Sequence, residues 1–397
     1  MRVLSKAMFA AIFILPQAGC WYFPEVADLF DPAVAAASVD LTQADKRNNL
    51  RGAVAKGGYE LFELGPGRRG EEWVITDDNS SDSFLVVLLD ADMNLLRRET
   101  VSNRSTLRHV LREDADTLFV GVSPAFGDAG GNFALSVGAL PGQDVPAPRA
   151  QRVYLNFNGG ANIRVHLRDP ISFAPFDAEM LGPQYTDQTE ALVRQIVSHV
   201  RDDYRGYAVE IYSSTEGPPP AGSYATIHFG FDDDGLLGLA DNVDQYNEFS
   251  QQTAMIYAGA FGTFEYLDLS LDEMAFMVAN VASHELGHLL GLYHTKDPAD
   301  VMDTTGSVYD LAVDQHFVRA ALEPSVFPIG FGNSPAILSQ SVGTIAVADA
   351  GRASLKLPNP EKRARRAALR NELHPRLGQL CGTCATMDQP SGDCCLK

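Results

Sequence analysis

Between residues 281 and 303 the chain reads VASHELGHLLGLYHTKDPADVMD, and His284, Glu285, His288 and His294 within it have the types and spacing that a metal-activated water requires. On a helix, residues i and i+4 lie one above the other on the same face, so His284 and His288 can present two imidazole nitrogens to one ion. Glu285 projects over the adjacent edge of that face, where it can hold a metal-bound water without ligating the metal. Continuing the helix would carry His294 round to the wrong direction. The chain must turn, and Gly291 can take a positive φ at no steric cost. His294 then completes three nitrogens and leaves a fourth position open, which a catalytic zinc site needs and a structural one does not. Met302, eight residues past His294, can set an apolar floor beneath the histidines. The competing reading is of histidines at a solvated helix end, with Gly291 a simple C-cap and Met302 core filler. The joint spacing favours chemistry: at this composition the full pattern arises by chance in fewer than about one chain in ten thousand.

The helix that must carry the first pair opens at SLDE, where Ser270 can cap and Glu273 can close a capping box, and it runs to Gly291. Ahead of it, RVYLNFNG (152–159), YAVEIYSS (207–214), YATIHFG (224–230) and QTAMIYAGAF (252–261) read as strands. TDQTEALVRQIVSHVRDDY (186–204) reads as an amphipathic helix with Thr186 or Asp187 as its cap. This order predicts an α+β domain with a mixed sheet and helices behind it. LAVDQHFVRAAL (311–322) reads as a further helix.

Before the Pro-rich linker PGQDVPAPRAQ (141–151), the pattern is different. YELFEL, EEWVIT, SFLVVLLD, TLFVGVSP and NFALSVGAL are β-rich runs separated by Gly, Asp, Asn and Ser clusters, the spacing of an all-β sandwich. The chain is therefore expected to be multidomain: a signal segment at 1–20, a linker at 21–55, a β-sandwich accessory domain at 56–141, a catalytic domain at 150–343, and a basic segment with a cysteine-rich tail at 344–397.

At 397 residues with 45% hydrophobic side chains, the chain can bury a large core. Its 51 acidic and 31 basic side chains give a formal charge of −20, which excludes a nucleic-acid partner as an expectation because phosphates would be repelled. MRVLSKAMFAAIFILPQAGC has the form of a secretory signal, too short to span a membrane, so an exported protein is expected. The ending QAGC resembles a bacterial lipoprotein processing site, with Gln17 where the pattern prefers Leu. On that reading the protein is anchored at the cell surface or outer membrane, and its membrane contact is a lipid on Cys20. The other cysteines, Cys381, Cys384, Cys394 and Cys395, can form two disulfides in an oxidising compartment. The basic run EKRARRAALR reads as a solvated helix face.

HELGHLLGLYH followed by Met302 resembles the metzincin family of zinc endopeptidases, and the short interval to the methionine is similar to the matrixin branch. The resemblance implies one catalytic Zn2+ on His284, His288 and His294, with Glu285 as general base for hydrolysis of a protein or peptide substrate. It implies that QTAMIYAGAF is an edge strand whose backbone at Ile256, Tyr257, Ala258 and Gly259 aligns extended substrate. Asp232, Asp233 and Asp234 in GFDDDG resemble the acidic loops that bind Ca2+ in matrixins, although an acidic turn reads equally well. Thr304 stands where some family members place a tyrosine ligand. The strand layout before the linker, with GNFALSV at its end, is similar to pre-peptidase C-terminal β-sandwiches of exported bacterial proteases. The alternative to a peptidase is a catalytically inactive surface binding protein on the same scaffold.

Overall fold

The computed structural model describes residues 37–38, 48–78, 80, 82–125, 130–230, 236–346 and 395–396. The signal segment with Cys20, the acidic run Asp232, Asp233 and Asp234, the basic segment, and Cys381, Cys384 and Cys394 lie outside the described residues. Of Cys395 only the backbone is described, so the pairing of the tail cysteines lies outside them too.

The first strands along the chain are β1 Ala37–Ser38, β2 Asn48–Val54, β3 Glu60–Gly67, β4 Glu72–Asp77, β5 Phe84–Leu89, β6 Leu95–Val101, β7 Thr106–Val110, β8 Ala115–Pro124 and β9 Gly131–Leu140. They form two sheets, ordered β1-β3-β8-β5-β6 and β2-β9-β4-β7. Pairing is antiparallel except between β1 and β3. Both sheets contribute to one apolar core that includes Ile75, Phe84, Val86, Leu88, Val120 and Leu135.

Alternation of apolar and polar residues marks a strand with one wet face, and β4 follows it. β5 does not: FLVVLL is buried at every position. Such continuous runs belong to strands covered on both faces. Here the second cover is the segment 327–331 from the far end of the chain. A Cβ placed on Gly121 of β8 would lie 2.6 Å from Phe327 and 2.8 Å from Val87, and one on Gly330 would lie 3.5 Å from Leu89.

The second core spans residues 153 to 342. Its strands are β10 Gln151–Asn156, the hairpin β11 Gly160–Ile163 and β12 Ile171–Phe173, then β13 Val209–Ser213, β14 Ala225–Gly230, β15 Gly238–Ala240 and β16 Thr253–Tyr257. β13, β10, β14 and β16 run parallel, and β15 pairs antiparallel with β16. Helix α1, Thr189–Asp203, buries Leu192, Val193, Ile196, Val197 and Val200 in this core. Helix α2, Leu271–Leu289, is buried along nearly its whole length, because it packs against α1 on one side and the sheet on the other. Helix α3 Val308–Leu311, strands β17 Arg319–Ala321 and β18 Phe331–Asn333, and helix α4 Ser334–Ser341 follow. Strand β19, Cys395–Leu396, lies antiparallel along the outer side of β15.

Several expectations are corrected. The linker expected through residue 55 contains strand β2, whose backbone pairs with β9 from Asn48 to Val54. α1 starts after Gln188, not at Thr186 or Asp187; Asp187 takes φ +61°, which breaks the helical run. Residues 311–322 do not form a helix beyond α3. Their backbone is drawn into long-range pairing instead: His316 N donates to Ala299 O at 3.0 Å and Val301 N to His316 O at 3.1 Å. β16 is not an edge strand. Ile256 pairs with Phe229 on one side and Gly238 on the other, so its backbone is spent within the sheet, while Ala258–Leu267 is a 3-10 helix.

Candidate metal centre

α2 begins where its sequence says it should. Ser270 accepts from the Glu273 amide, and the Glu273 carboxylate accepts from the Ser270 amide at 2.9 Å. Such caps contribute about 1 kcal/mol. Deeper along the helix, Tyr204 OH donates to Ser283 O at 2.8 Å, and Ser283 Oγ donates to the half-buried Asp203 carboxylate at 2.5 Å. α1 thereby fixes the turn of α2 that precedes His284.

The helix ends in a Schellman turn. Leu292 N donates to Gly287 O and Gly291 N to His288 O, both at 2.9 Å, with Gly291 at φ +98°. A side chain there would also strike the backbone of the neighbouring loop, since a Cβ would lie 2.7 Å from Gln245 Cα. The turn redirects the chain so that His294 comes back over the end of α2.

The three imidazoles converge. His288 Nε2 lies 3.0 Å from His284 Nε2 and 3.1 Å from His294 Nε2. Two of the outer nitrogens are committed: His284 Nδ1 donates to Val301 O and His288 Nδ1 to Leu292 O, each at 2.8 Å. These bonds fix the tautomer and leave each Nε2 with a lone pair aimed inward. Lone pairs facing one another at this range repel unless a cation stands among them. Three nitrogens held at 2.0–2.1 Å by one tetrahedral ion would be roughly 3.3 Å apart, so the set fits a zinc ion with little adjustment. Burial lowers the His284 and His288 pKa well below the usual imidazole value. Burial, with the charge of Arg98 second, brings His294 down to about 4. All three are therefore neutral near pH 7, the state a metal ligand needs.

Glu285 is fully buried beside them, and neither carboxylate oxygen has a hydrogen-bond partner among the described residues. Desolvation raises its pKa well above the ordinary carboxylate value. A buried carboxyl with no partner calls for an explanation, and a water polarised by an ion on the three histidines would be one. Met302 is completely buried under the site, and a Cβ on Gly287 would lie 2.6 Å from its sulfur.

The structure thus brings His284, Glu285, His288, Gly291, His294 and Met302 together. Ile256 and Tyr257 lie inside the sheet and Ala258 and Gly259 in the 3-10 helix that follows it. Sequence reasoning missed Gly238 and Gly287. A side chain at Gly238 would reach within 2.7 Å of Glu285 Cγ, so β15 must be bare where it passes the carboxylate. Gly287 could have been noticed as a glycine inside an otherwise well-formed helix, where it costs stability and needs a packing reason.

Residues 210–317 match the Matrixin family model. This part of the chain is matrixin-like. The match spans β13 through the three histidines and Met302 to just before β17. A search of the curated proteins finds no match. Among solved structures, archaemetzincin from Methanopyrus kandleri is similar at 15% identity, over 42% of this chain and 89% of that one, with a TM-score of 0.25. The pre-peptidase C-terminal domain of a Bacillus anthracis collagenase is similar at 13% identity, over 26% and 93%, with a TM-score of 0.19. The lysozyme inhibitor PliG of Aeromonas hydrophila is similar at 11% identity, over 27% and 96%, with a TM-score of 0.23. Likenesses this distant carry no argument about function.

Proposed function

We propose that the chain is an exported, zinc-dependent endopeptidase in which Glu285 acts as general base. A catalytic domain over 150–343 follows a β-sandwich accessory domain at 56–141, and α2 is the zinc-binding helix. The observation that carries the reading is the pairing of three inward-facing Nε2 atoms with a buried, unpartnered carboxylate next to them.

His284, His288 and His294 would hold the ion. When bound there, zinc supplies Lewis acidity, which makes water nucleophilic near neutral pH and polarises a carbonyl. Glu285 takes a proton from the attacking water at its carboxylate and returns it to the departing nitrogen. Its burial excludes bulk water, and the bare backbone of Gly238 leaves it room. Extended substrate would lie along the outer side of β15, the strand that passes Glu285. The antiparallel pairing of Cys395–Leu396 there supports an extended segment in that place.

The unpartnered Glu285 carboxylate beside three convergent imidazoles favours an enzyme over a binding scaffold. The test is Glu285→Gln. Zinc content should stay at one per chain while cleavage of a peptide library falls roughly 10²–10⁴-fold; undiminished cleavage would overturn the reading. Lipid anchoring at Cys20 is proposed with it, and labelled-lipid incorporation that persists in Cys20→Ala would remove the anchor.

A further inference from the structure

β6 is the outer strand of its sheet and belongs to the N-terminal core, yet its residues reach towards the metal centre in two directions. On one side, Leu96 O accepts from Tyr246 OH at 2.8 Å, and Arg98 N donates to Gln245 Oε1 at 3.3 Å. The same short loop sends Asp244 N to His288 O at 3.0 Å and lays Gln245 against Gly291. On the other side, Arg98 Nε donates to Val326 O at 2.9 Å. Val326 belongs to a turn closed by its amide on Glu323 O, and Glu323 N donates to His294 O at 3.0 Å. Between these two routes, the Arg98 guanidinium stands 5.3 Å from the ring centroid of Tyr293, the neighbour of His294.

We propose that β6, acting chiefly through Arg98, is a positioning element of the metal centre, which makes the N-terminal sheets a working part of the site. The backbone carbonyls of His288 and His294 are each held by an element that β6 itself holds. The loop joining these two ligands is short and turns on a glycine, so its geometry depends on what clamps its ends. An Arg suits the clamp because its planar, charged group can donate to a carbonyl and cover an aromatic face at once. The cover of β5 and β8 by the segment 327–331 keeps the two cores in one register around this clamp. The proposal rests on the three histidines binding zinc.

The experiment measures zinc affinity of the full chain by competition with a chromogenic chelator, together with the absorption spectrum of the cobalt-substituted protein. Arg98→Ala should weaken zinc binding ~10- to 100-fold, the usual effect of removing a partner that orients a ligand, and should shift the cobalt bands. Arg98→Lys should recover part of the loss. Tyr246→Phe, which deletes only the hydroxyl bonded to Leu96, should give a smaller loss in the same direction. Arg108→Ala, at an exposed arginine paired with Glu72, should change neither readout. A parent that binds one zinc while Arg98→Ala and Tyr246→Phe keep its affinity and cobalt spectrum would overturn the proposal and leave the zinc site standing. A parent that binds no zinc would overturn the reading of the site and the proposal with it. Should Arg98→Ala fail to fold, Tyr246→Phe decides by the same two readouts.

Discussion

Between the N-terminal sheets the core side chains are aliphatic or aromatic, and among the described residues that form it the one polar atom without a partner is the indole nitrogen of Trp73. In the second core, one helix buries Asn280, Ser283, His284, Glu285 and His288 among its apolar residues. Most of those polar groups are committed. Asn280 Nδ2 donates to Leu311 O at 2.8 Å and Val313 O at 2.7 Å, Ser283 to Asp203, and two histidines to backbone carbonyls. What remains uncommitted on the helix is two imidazole lone pairs and one carboxylate, and the Nε2 of His294, from the turn beyond it, faces the same point. A core that only packs can be altered by degrees, whereas unsatisfied polar groups gathered in one place are an arrangement that a ligand would complete.

The junction between the two cores offers the largest way to sharpen this contrast. His109 of β7 is buried 5.3 Å from the Tyr246 ring, with Arg97 and Arg112 nearby; burial first, then those charges, lower its pKa to about 3. Its folded value lies below the unfolded value of 6.5, so the unfolded chain binds the extra proton. The stability this contributes is complete above pH 6.5 and is lost as pH falls towards 3. Chemical unfolding of the metal-free protein should show a loss of roughly 4 kcal/mol between pH 7 and pH 3 that His109→Phe does not share. Equal slopes for the two proteins would mean the junction is already hydrated.

Next in size is the apolar core alone. Leu88→Ala, at a fully buried β5 residue, should cost about 3 kcal/mol in the range usual for such truncations. Because Leu88 faces its own core, zinc affinity of the folded protein should not move. A variant that loses affinity in step with stability would mean that the two cores do not divide the labour as drawn here.

Much of this arrangement was legible in the sequence and the rest was hidden for identifiable reasons. The convergence of the three histidines was readable because its spacing is local: His284 and His288 share a helical face, and Gly291 announces the turn. The double burial of β5 was visible as the unbroken run FLVVLL, though what covers its second face was not, since residues 327–331 lie far along the chain. β6 was missed because Arg97, Arg98 and Glu99 interrupt its apolar pattern, and Arg97 and Arg98 are where the strand meets the junction. β15 is three residues long, too short for periodicity to register. The helix expected at 311–322 failed because local propensity lost to pairing with the loop that carries Met302.

Zinc itself should come third. At a free concentration about 100 times its dissociation constant, a ligand that binds only the folded state stabilises it by about 2.7 kcal/mol. Thermal unfolding should therefore shift upward on adding zinc and return on chelation, while His288→Ala should show no shift. A shift that survives in His288→Ala would place the bound ion elsewhere in the chain.

The smallest effect tests how β15 serves the site. Gly238→Ala adds one methyl where β15 passes Glu285, and that methyl would approach the carboxylate side chain to within 2.7 Å of Cγ. None of the atoms that this methyl would meet first belongs to a histidine, and His284 and His288 keep their carbonyl partners, so zinc affinity should hold. The carboxylate must move, and a displacement of this kind lowers turnover by about 30-fold, near 2 kcal/mol, when the displaced group is a general base. Cleavage measured against substrate concentration should show the loss in kcat, with KM changing less. If KM rises and kcat holds, Gly238 shapes the path of the substrate and Glu285 tolerates the methyl, which would separate the packing role of β15 from its role beside the carboxylate.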